Sequence, residues 1–315
     1  MVVVFKISDN TKNKMIEYYM DKKREKTPPY AVFQAEEGGT IITLYESGKV
    51  MFQGISADVD ANMWRDMEAH LNNGKAPEEK KKKEKEKKTN EEIYEEKKKY
   101  YYINSIGSDE VGTGDYFGPI VVTASFVSKD NIAFLEELGV KDSKKLTDQK
   151  ILEIVPKIVK KIPYETIIYT NEEYNNHPEF NMNKTKAILH NKAILSLMKK
   201  ENFNYDKVII DQFCYPKNYF GYLKEANNVF RKITFTTKAE DKCLSVACSS
   251  LISRYVFIKE IDKMSKALND NIPKGAGNLV DEFGKKIVSK YGKEILRKTA
   301  KLNFKNTDKI IKEEK

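Results

Sequence analysis

Four carboxylates in this chain fall where strands should end, and that placement is the first chemistry the residues offer. In YYINSIGSDEVGTGDYFGPIVVTASFV, residues 101–127, a strand-like run over 101–106 delivers Asp109 and Glu110 into a glycine-rich turn, and a second apolar strand follows over 120–127. An isolated Asp-Glu pair is ordinarily surface decoration. This one lies between apolar strands, beside a loop whose Gly112, Gly114 and Gly118 let a backbone pass close to a ligand. Asp211 closes the apolar run Val208-Ile209-Ile210, and a strand expected over 233–237 leads to Lys238, Glu240 and Asp241. If the strand ends converge, Asp109, Glu110, Asp211 and Glu240 form one acidic cluster. Such a cluster repels itself unless it holds cations. Oxygen ligands without His or Cys suit Mg²⁺ or Mn²⁺, which keep waters and accept phosphate oxygens. Two such ions ~4 Å apart can activate a water and stabilise a leaving 3′-oxygen in phosphodiester hydrolysis.

For these side chains to meet, the strands must lie side by side in a mixed sheet, with helices covering its faces. A helix is expected directly after Asp241, with Leu244, Ala247, Cys248, Leu251, Ile252 and Tyr255 on its apolar face. Another carries His190 among Ile188, Leu189, Ile194 and Leu197; a histidine there reads first as a satisfied helix-face residue, and Asn191 beside it as a candidate substrate donor. Lys144 and Lys145, after Asp142-Ser143, are candidates to hold a phosphate, as is Lys238 near Glu240; solvated lysines are the plain alternative. Cys214, Cys243 and Cys248 contain no CxxC spacing and read as small core residues, which argues against a disulfide framework or a zinc cluster.

The chain has 315 residues, 56 basic against 47 acidic, a net +9. That length suggests two domains, and no run approaches the ~18 apolar residues of a membrane span. MVVVF is apolar for only five residues with no cleavage site after it, so a soluble cytoplasmic protein is expected. Residues 1–75 are nearly neutral, with a net of −1, and the lysine run of 76–99 is almost balanced by glutamates at +2. Residues 100–315 carry +8, of which 285–315 hold +7. The charged run cannot bury apolar surface and reads as a linker, giving domains 1–75 and 100–315 joined by 76–99.

In the first domain a helix is expected over 11–26, then three short strands (YAVFQAE, TIITLYES, KVMFQG) with glycine turns, then a helix over 58–72 with Met63, Trp64, Met67 and Leu71 inward. That is a small α+β domain with one sheet face covered. Its free face would show Thr43, Tyr45, Lys49 and Gln53, suited to a sugar-phosphate backbone. At the other end, a helix over 279–291 sets Phe283, Ile287, Val288 and Tyr291 against the sheet, with Lys285, Lys286, Lys290 and Lys293 on the opposite side.

These stretches resemble a known family. DEVGTGDYFGP at 109–119, DSKKL at 142–146, LHNKAI at 189–194, IIDQF at 209–213 and TKAE at 237–240 are similar to type 2 ribonucleases H, and most like the ribonuclease HIII subgroup. SGKVMFQG at 47–54 and NFKNTDK at 303–309 extend the likeness over all but the linker. The resemblance implies an α/β fold, an RNase H-like mixed sheet flanked by helices, with an N-terminal α+β domain resembling the TATA-binding-protein fold. It implies endonucleolytic, metal-dependent cleavage of the RNA strand of RNA–DNA hybrids, with two Mg²⁺ or Mn²⁺ ions, leaving 5′-phosphate and 3′-hydroxyl ends. Asp109, Glu110, Asp211 and Glu240 would be the metal-binding catalytic residues, with Asp109 shared by both ions. Gly112, Thr113 and Gly114 would read ribose 2′-hydroxyls through backbone groups. Thr113 stands where ribonuclease HII has arginine, and Glu240 where it has aspartate, which favours the HIII subgroup over incision at single ribonucleotides. That incision, or hybrid binding without catalysis, is the alternative. No membrane or obligate protein partner is expected, and the protein should be a monomer.

Overall fold

The computed structural model describes residues 2–54, 57–72, 94–95, 98–140, 143 and 146–311. The chain divides into two compact units, Met1–Lys88 and Thr89–Lys315. Most of the expected linker, 76–99, lies outside the described residues, as do Asp142, Lys144 and Lys145. No helix among the described residues is long and apolar enough to cross a membrane.

The first unit is a four-stranded antiparallel sheet with helices on one face. Its elements are β1 (Val2–Lys6), α1 (Asp9–Tyr18), β2 (Ala31–Glu37), β3 (Thr40–Tyr45), β4 (Lys49–Gly54) and α2 (Ala57–Leu71), with strand order β1-β4-β3-β2. The sequence reading finds β2, β3 and β4 but takes VVVFK only as a short apolar stretch. In the structure it pairs along the whole of β4. The first helix is also shorter than the 11–26 expected, ending at Tyr18 before a single 3₁₀ turn, Met20–Lys22.

Phe5, Phe33, Ile42, Leu44, Val50 and Phe52 point to the helices and form the core with Met15, Tyr19 and Trp64. The inward face of α2 differs from the expected one. Ala57, Ala61, Trp64 and Glu68 are buried, while Met63 and Met67 are 42% and 38% exposed. The small alanines let the helix lie close to the sheet. Glu68 is buried because its carboxylate accepts from the Ser8 backbone N–H at 3.0 Å and from the Ser8 hydroxyl at 2.9 Å, at the start of α1. Thr43, Tyr45, Lys49 and Gln53 do share the opposite side of the sheet, since β3 and β4 pair Thr43 with Met51 and Ile41 with Gln53, but Thr43 is fully buried there, its hydroxyl accepting from the Gln34 side-chain amide at 3.0 Å.

The second unit holds a five-stranded mixed sheet of β5 (Ser105–Val111), β6 (Ile120–Val127), β7 (Tyr164–Tyr169), β8 (Lys207–Asp211) and β9 (Ile233–Thr236), in the order β7-β6-β5-β8-β9. β5, β6 and β7 are antiparallel neighbours, and β5, β8 and β9 run parallel. Parallel neighbours bring their carboxyl ends to the same edge, where ligands of open α/β sheets bind.

Two long helices cover the faces. α6 (Met182–Met198) lies over one, where Ile106, Val122, Ala124, Val208 and Ile210 meet Ala187, Leu189, Ala193, Ile194 and Leu197. α8 (Leu244–Leu268) covers the other, together with α3 (Ile132–Glu137) and α4 (Asp148–Ile158). A short α5 (Asn171–Asn175) lies between β7 and α6, and α7 (Pro216–Tyr222) between β8 and β9. α8 approaches unusually closely because small residues face each other. A side chain at Gly107 would lie 2.3 Å from the Val246 backbone nitrogen, and Ser105, Ser125, Ser245 and Ser249 bond one another across the seam.

The chain ends with α9 (Asn278–Tyr291), α10 (Ile295–Thr299) and α11 (Lys305–Ile311). The apolar side of α9 holds Phe283, Ile287 and Val288, as the spacing predicts, together with Val280, which it does not, and it packs with Tyr116, Phe117, Phe257, Ile261 and Ile310 rather than across the sheet. Tyr291 is 42% exposed and spends its hydroxyl on the Leu268 carbonyl, at 2.9 Å.

Candidate active site

Asp109 and Glu110 lie inside β5, not in the turn after it, because the strand begins at Ser105 and runs to Val111. Alternation then sends the two carboxylates to opposite faces of the sheet. Asp109 follows Ser105 and Gly107 toward α8, and Glu110 follows Ile106 and Ser108 toward α6.

On the α8 side, Asp109 receives a hydrogen bond from the Ser250 side chain, and Ser253 donates to its backbone carbonyl at 3.2 Å. Burial raises its pKa well above the usual carboxylate range; the charges of Glu110 and Glu240 push it further, against the Ser250 bond. Asp211 ends β8, one position beyond the Ser108–Ile210 pair, and so stands beside Asp109 across the parallel ladder. Its Oδ1 accepts from the Ala239 backbone N–H at 2.9 Å. That bond anchors the 3₁₀ turn Ala239–Asp241, which carries Glu240. Lys238 enters the turn with φ 56°, ψ 44°, a left-handed backbone seldom adopted by a lysine. Backbone strain of this sort clusters at functional sites. Its side chain is exposed.

On the α6 side, Glu110 pairs with Lys186 and with His190 Nε2 at 3.0 Å. These partners outweigh burial and hold its carboxyl at about 2. Ser108 gives its hydroxyl proton to the Thr123 carbonyl at 2.9 Å, so His190 Nδ1 must donate to Ser108, at 2.7 Å. A second N–H at Nε2 is what the ionised Glu110 can accept. Phe213 stacks on His190, with ring centroids 5.5 Å apart, and Lys186 lies 4.1 Å from the Phe213 ring centroid. His190 is therefore both a satisfied core histidine and the partner of a candidate ligand.

Asn191 is not presented to a substrate. It is 5% exposed; its amide N–H donates to the Asn228 carbonyl at 2.8 Å and its oxygen accepts from the Phe230 N–H at 2.9 Å. Both ends are spent tying down the segment before β9. Lys186 is missed by the sequence reading, although it sits one helical turn before His190 and so on the same side of α6.

The glycine loop divides by role. Gly112, at φ +94°, would strike the Pro119 carbonyl with a side chain at 2.2 Å, and Gly118, at φ +86°, would strike Ile261 at 2.6 Å. Gly114 has an ordinary φ and nothing within 4 Å of where a Cβ would stand. Neither backbone nor packing requires glycine there, so the space beside Gly114 is free for a ligand. Thr113 is half-buried next to it.

Among the described residues no group of three or more His, Cys, Asp or Glu side chains is drawn into a ready metal cage. The donor set still fits a hard divalent ion: Asp109, Asp211 and Glu240 offer carboxylate oxygens on one side of the sheet edge, and Asp109 is half-buried among charges of its own sign, which a cation would relieve.

A family model described as Ribonuclease HII matches residues 106–307, and one described as a domain of unknown function matches 2–87. The ribonuclease HIII of Bacillus velezensis is 42% identical over 97% of this chain and 96% of its own length. That of Lactococcus lactis is 38% identical over 99% of both. The crystal structure of Bst-RNase HIII in complex with Mn²⁺ is 34% identical, with a TM-score of 0.68, over 99% of this chain and 98% of that one.

Proposed function

The chain belongs to the ribonuclease HIII family, metal-dependent endoribonucleases acting on RNA–DNA hybrids, and from that footing we propose how its residues divide the work. Asp109, Glu110, Asp211 and Glu240 hold two Mg²⁺ or Mn²⁺ ions. Bound there, such ions activate water and neutralise charge building on the leaving 3′-oxygen, giving 5′-phosphate and 3′-hydroxyl ends. Asp109 and Asp211, side by side on β5 and β8, form the rigid part of the ligand set. Glu240 is fixed through the Ala239–Asp211 bond. Glu110 approaches from the other face, oriented by Lys186 and His190.

The loop 112–114 takes the ribose of the RNA strand, with Gly114 leaving room and backbone groups reading the 2′-hydroxyl, the feature that distinguishes RNA from DNA. Lys238, exposed beside Glu240, meets a phosphate of the scissile strand, and Lys144 and Lys145 act similarly. The N-terminal domain, 1–75, binds substrate through the sheet face bearing Tyr45, Lys49 and Gln53. The protein works as a cytoplasmic monomer.

The observation that carries this reading is the half-buried Asp109 carboxylate, beside Asp211 at the sheet edge and facing charges of its own sign. Asp211→Asn should abolish hybrid cleavage while hybrid binding persists, measured by gel cleavage and fluorescence anisotropy on one labelled substrate. Cleavage at the wild-type rate would sink the assignment.

A further inference from the structure

Lys301 is the one lysine among the described residues with no exposed surface, at 0%. It follows Ala300, which makes an isolated bridge to Phe117. Its Nζ donates to the Asp115 carbonyl at 2.8 Å and to the Gly118 carbonyl at 2.5 Å. The backbone does the same on either side: Lys301 N–H donates to Tyr116 O at 2.9 Å, and Gly118 N–H to Thr299 O at 3.0 Å. Asn171 adds a second donor at Gly118 O, at 3.0 Å. The segment 299–301 thus grips 115–118 residue by residue, and the lysine amine supplies two of those bonds.

A lysine is an expensive way to fill such a space. Burial pushes its ammonium down to about 7, with the Asp115 carboxylate drawing it part of the way back. A methionine of similar reach would fill the volume without that cost. The amine is present for what it donates to, and both acceptors belong to the half of the glycine loop adjoining 112–114. That adjoining half is the open one, where Gly114 faces empty space.

We propose that Lys301 is a positioning residue for substrate recognition, fixing the glycine loop from beneath so that Gly112, Thr113 and Gly114 meet the ribose in one shape. The proposal rests on the reading that this loop senses the 2′-hydroxyl. It predicts that loss of the amine weakens discrimination between RNA and DNA without touching the metal site, since the bonds of Lys301 reach no carboxylate of the Asp109 group.

The test uses the full chain with Lys301→Met, Lys301→Arg and Gly114→Val. Binding of an RNA–DNA hybrid and of a DNA duplex of the same sequence is measured by anisotropy with Ca²⁺ in place of the catalytic ion, and Mn²⁺ affinity by calorimetry. Losing the paired donors from a recognition loop should lower the hybrid-over-DNA preference of Lys301→Met about tenfold, raise KM more than it lowers kcat, and leave Mn²⁺ affinity unchanged. Lys301→Arg, which keeps donors, should recover part of the preference. Should the methionine variant not fold, Lys301→Gln, whose shorter amide cannot span both carbonyls, takes its place with the same expected direction. An unchanged preference in the folded variant overturns the proposal. Gly114→Val separates the two levels: unchanged preference there overturns the reading of the loop and the proposal with it. A changed preference there, beside an unchanged one in Lys301→Met, overturns the positioning role alone.

Discussion

Asp109 costs the metal-free protein stability, and the sign of that cost is testable. Its folded-state pKa is raised by burial and by Glu110 and Glu240, so between the unfolded value and the folded one the native state binds more protons than the unfolded chain. Stability therefore falls as pH rises through that window. Glu110 works the other way. Held at about 2 by His190 and Lys186, it contributes stability that is present above its unfolded value of 4.5 and lost as pH falls toward 2. The two neighbours on one strand thus carry opposite pH signatures, because one faces carboxylates and the other faces cations. Asp109→Asn should stabilise the metal-free protein at pH 7 and raise its Tm. At pH 3 the advantage should vanish. Melting curves in EDTA at the two pH values check this, and adding Mn²⁺ should raise the Tm of the wild type while leaving that of the variant nearly unmoved. A carboxylate that weakens the fold it sits in is what the proposed metal site would require, an ordinary trade between stability and activity.

The site depends on how closely α8 lies against β5, since Ser250 and Ser253, which bond Asp109, ride on that helix. Gly107 sets the distance. A methyl there would stand 2.3 Å from Val246 N and 2.4 Å from Ser245 C, both backbone atoms that cannot swing aside. Gly107→Ala should cost ~1–3 kcal/mol by overpacking, and should lower cleavage beyond what the folded fraction explains, because the two serines shift with the helix. Thermal melts and rate measurements on the same preparation would show it. The strands bearing the carboxylates were legible because each ends an apolar run, and α8 because its apolar residues recur at helical spacing. β1 was not, since VVVFK lacks the polar alternation of a half-buried strand and gains its partner only when β4 lies beside it. The face of α2 was misread because Met63 and Met67 outrank alanine in apolarity, whereas close approach to a sheet favours Ala57 and Ala61. Lys186 stayed hidden for a related reason: its partner Glu110 is 76 positions away in the chain, and only the packing of α6 across β5 joins them. Asn191, attractive beside a histidine, turns out to face a backbone segment that no local pattern announces.

At the scale of the whole molecule the +9 charge changes meaning once its members are placed. Residues 285–315 hold +7, but Lys301 is buried under the glycine loop, Lys286 pairs with Asp270 at 2.5 Å and Lys309 with Asp281 at 2.8 Å. The tail therefore offers less to a nucleic acid than its count suggests. What it offers acts through counterion release, in which each neutralised phosphate adds about 0.7–0.9 to the slope of log affinity against log salt. The N-terminal domain is different: 1–75 has a net charge of −1, and its open sheet face mixes Lys49 with Tyr45 and Gln53. Contacts of that kind, hydrogen bonds and stacking, depend weakly on salt. Replacing Lys290, Lys293 and Lys298 together by glutamine should lower the slope of hybrid binding by about 2, and weaken hybrid and DNA duplex alike. Deleting residues 1–75 should instead raise KM more than it lowers turnover, with the slope changed by less than about 1. Titrations from low to moderate salt on the two variants separate the contributions. Equal slope losses in both would mean that the N-terminal sheet, like the tail, holds its substrate chiefly by charge.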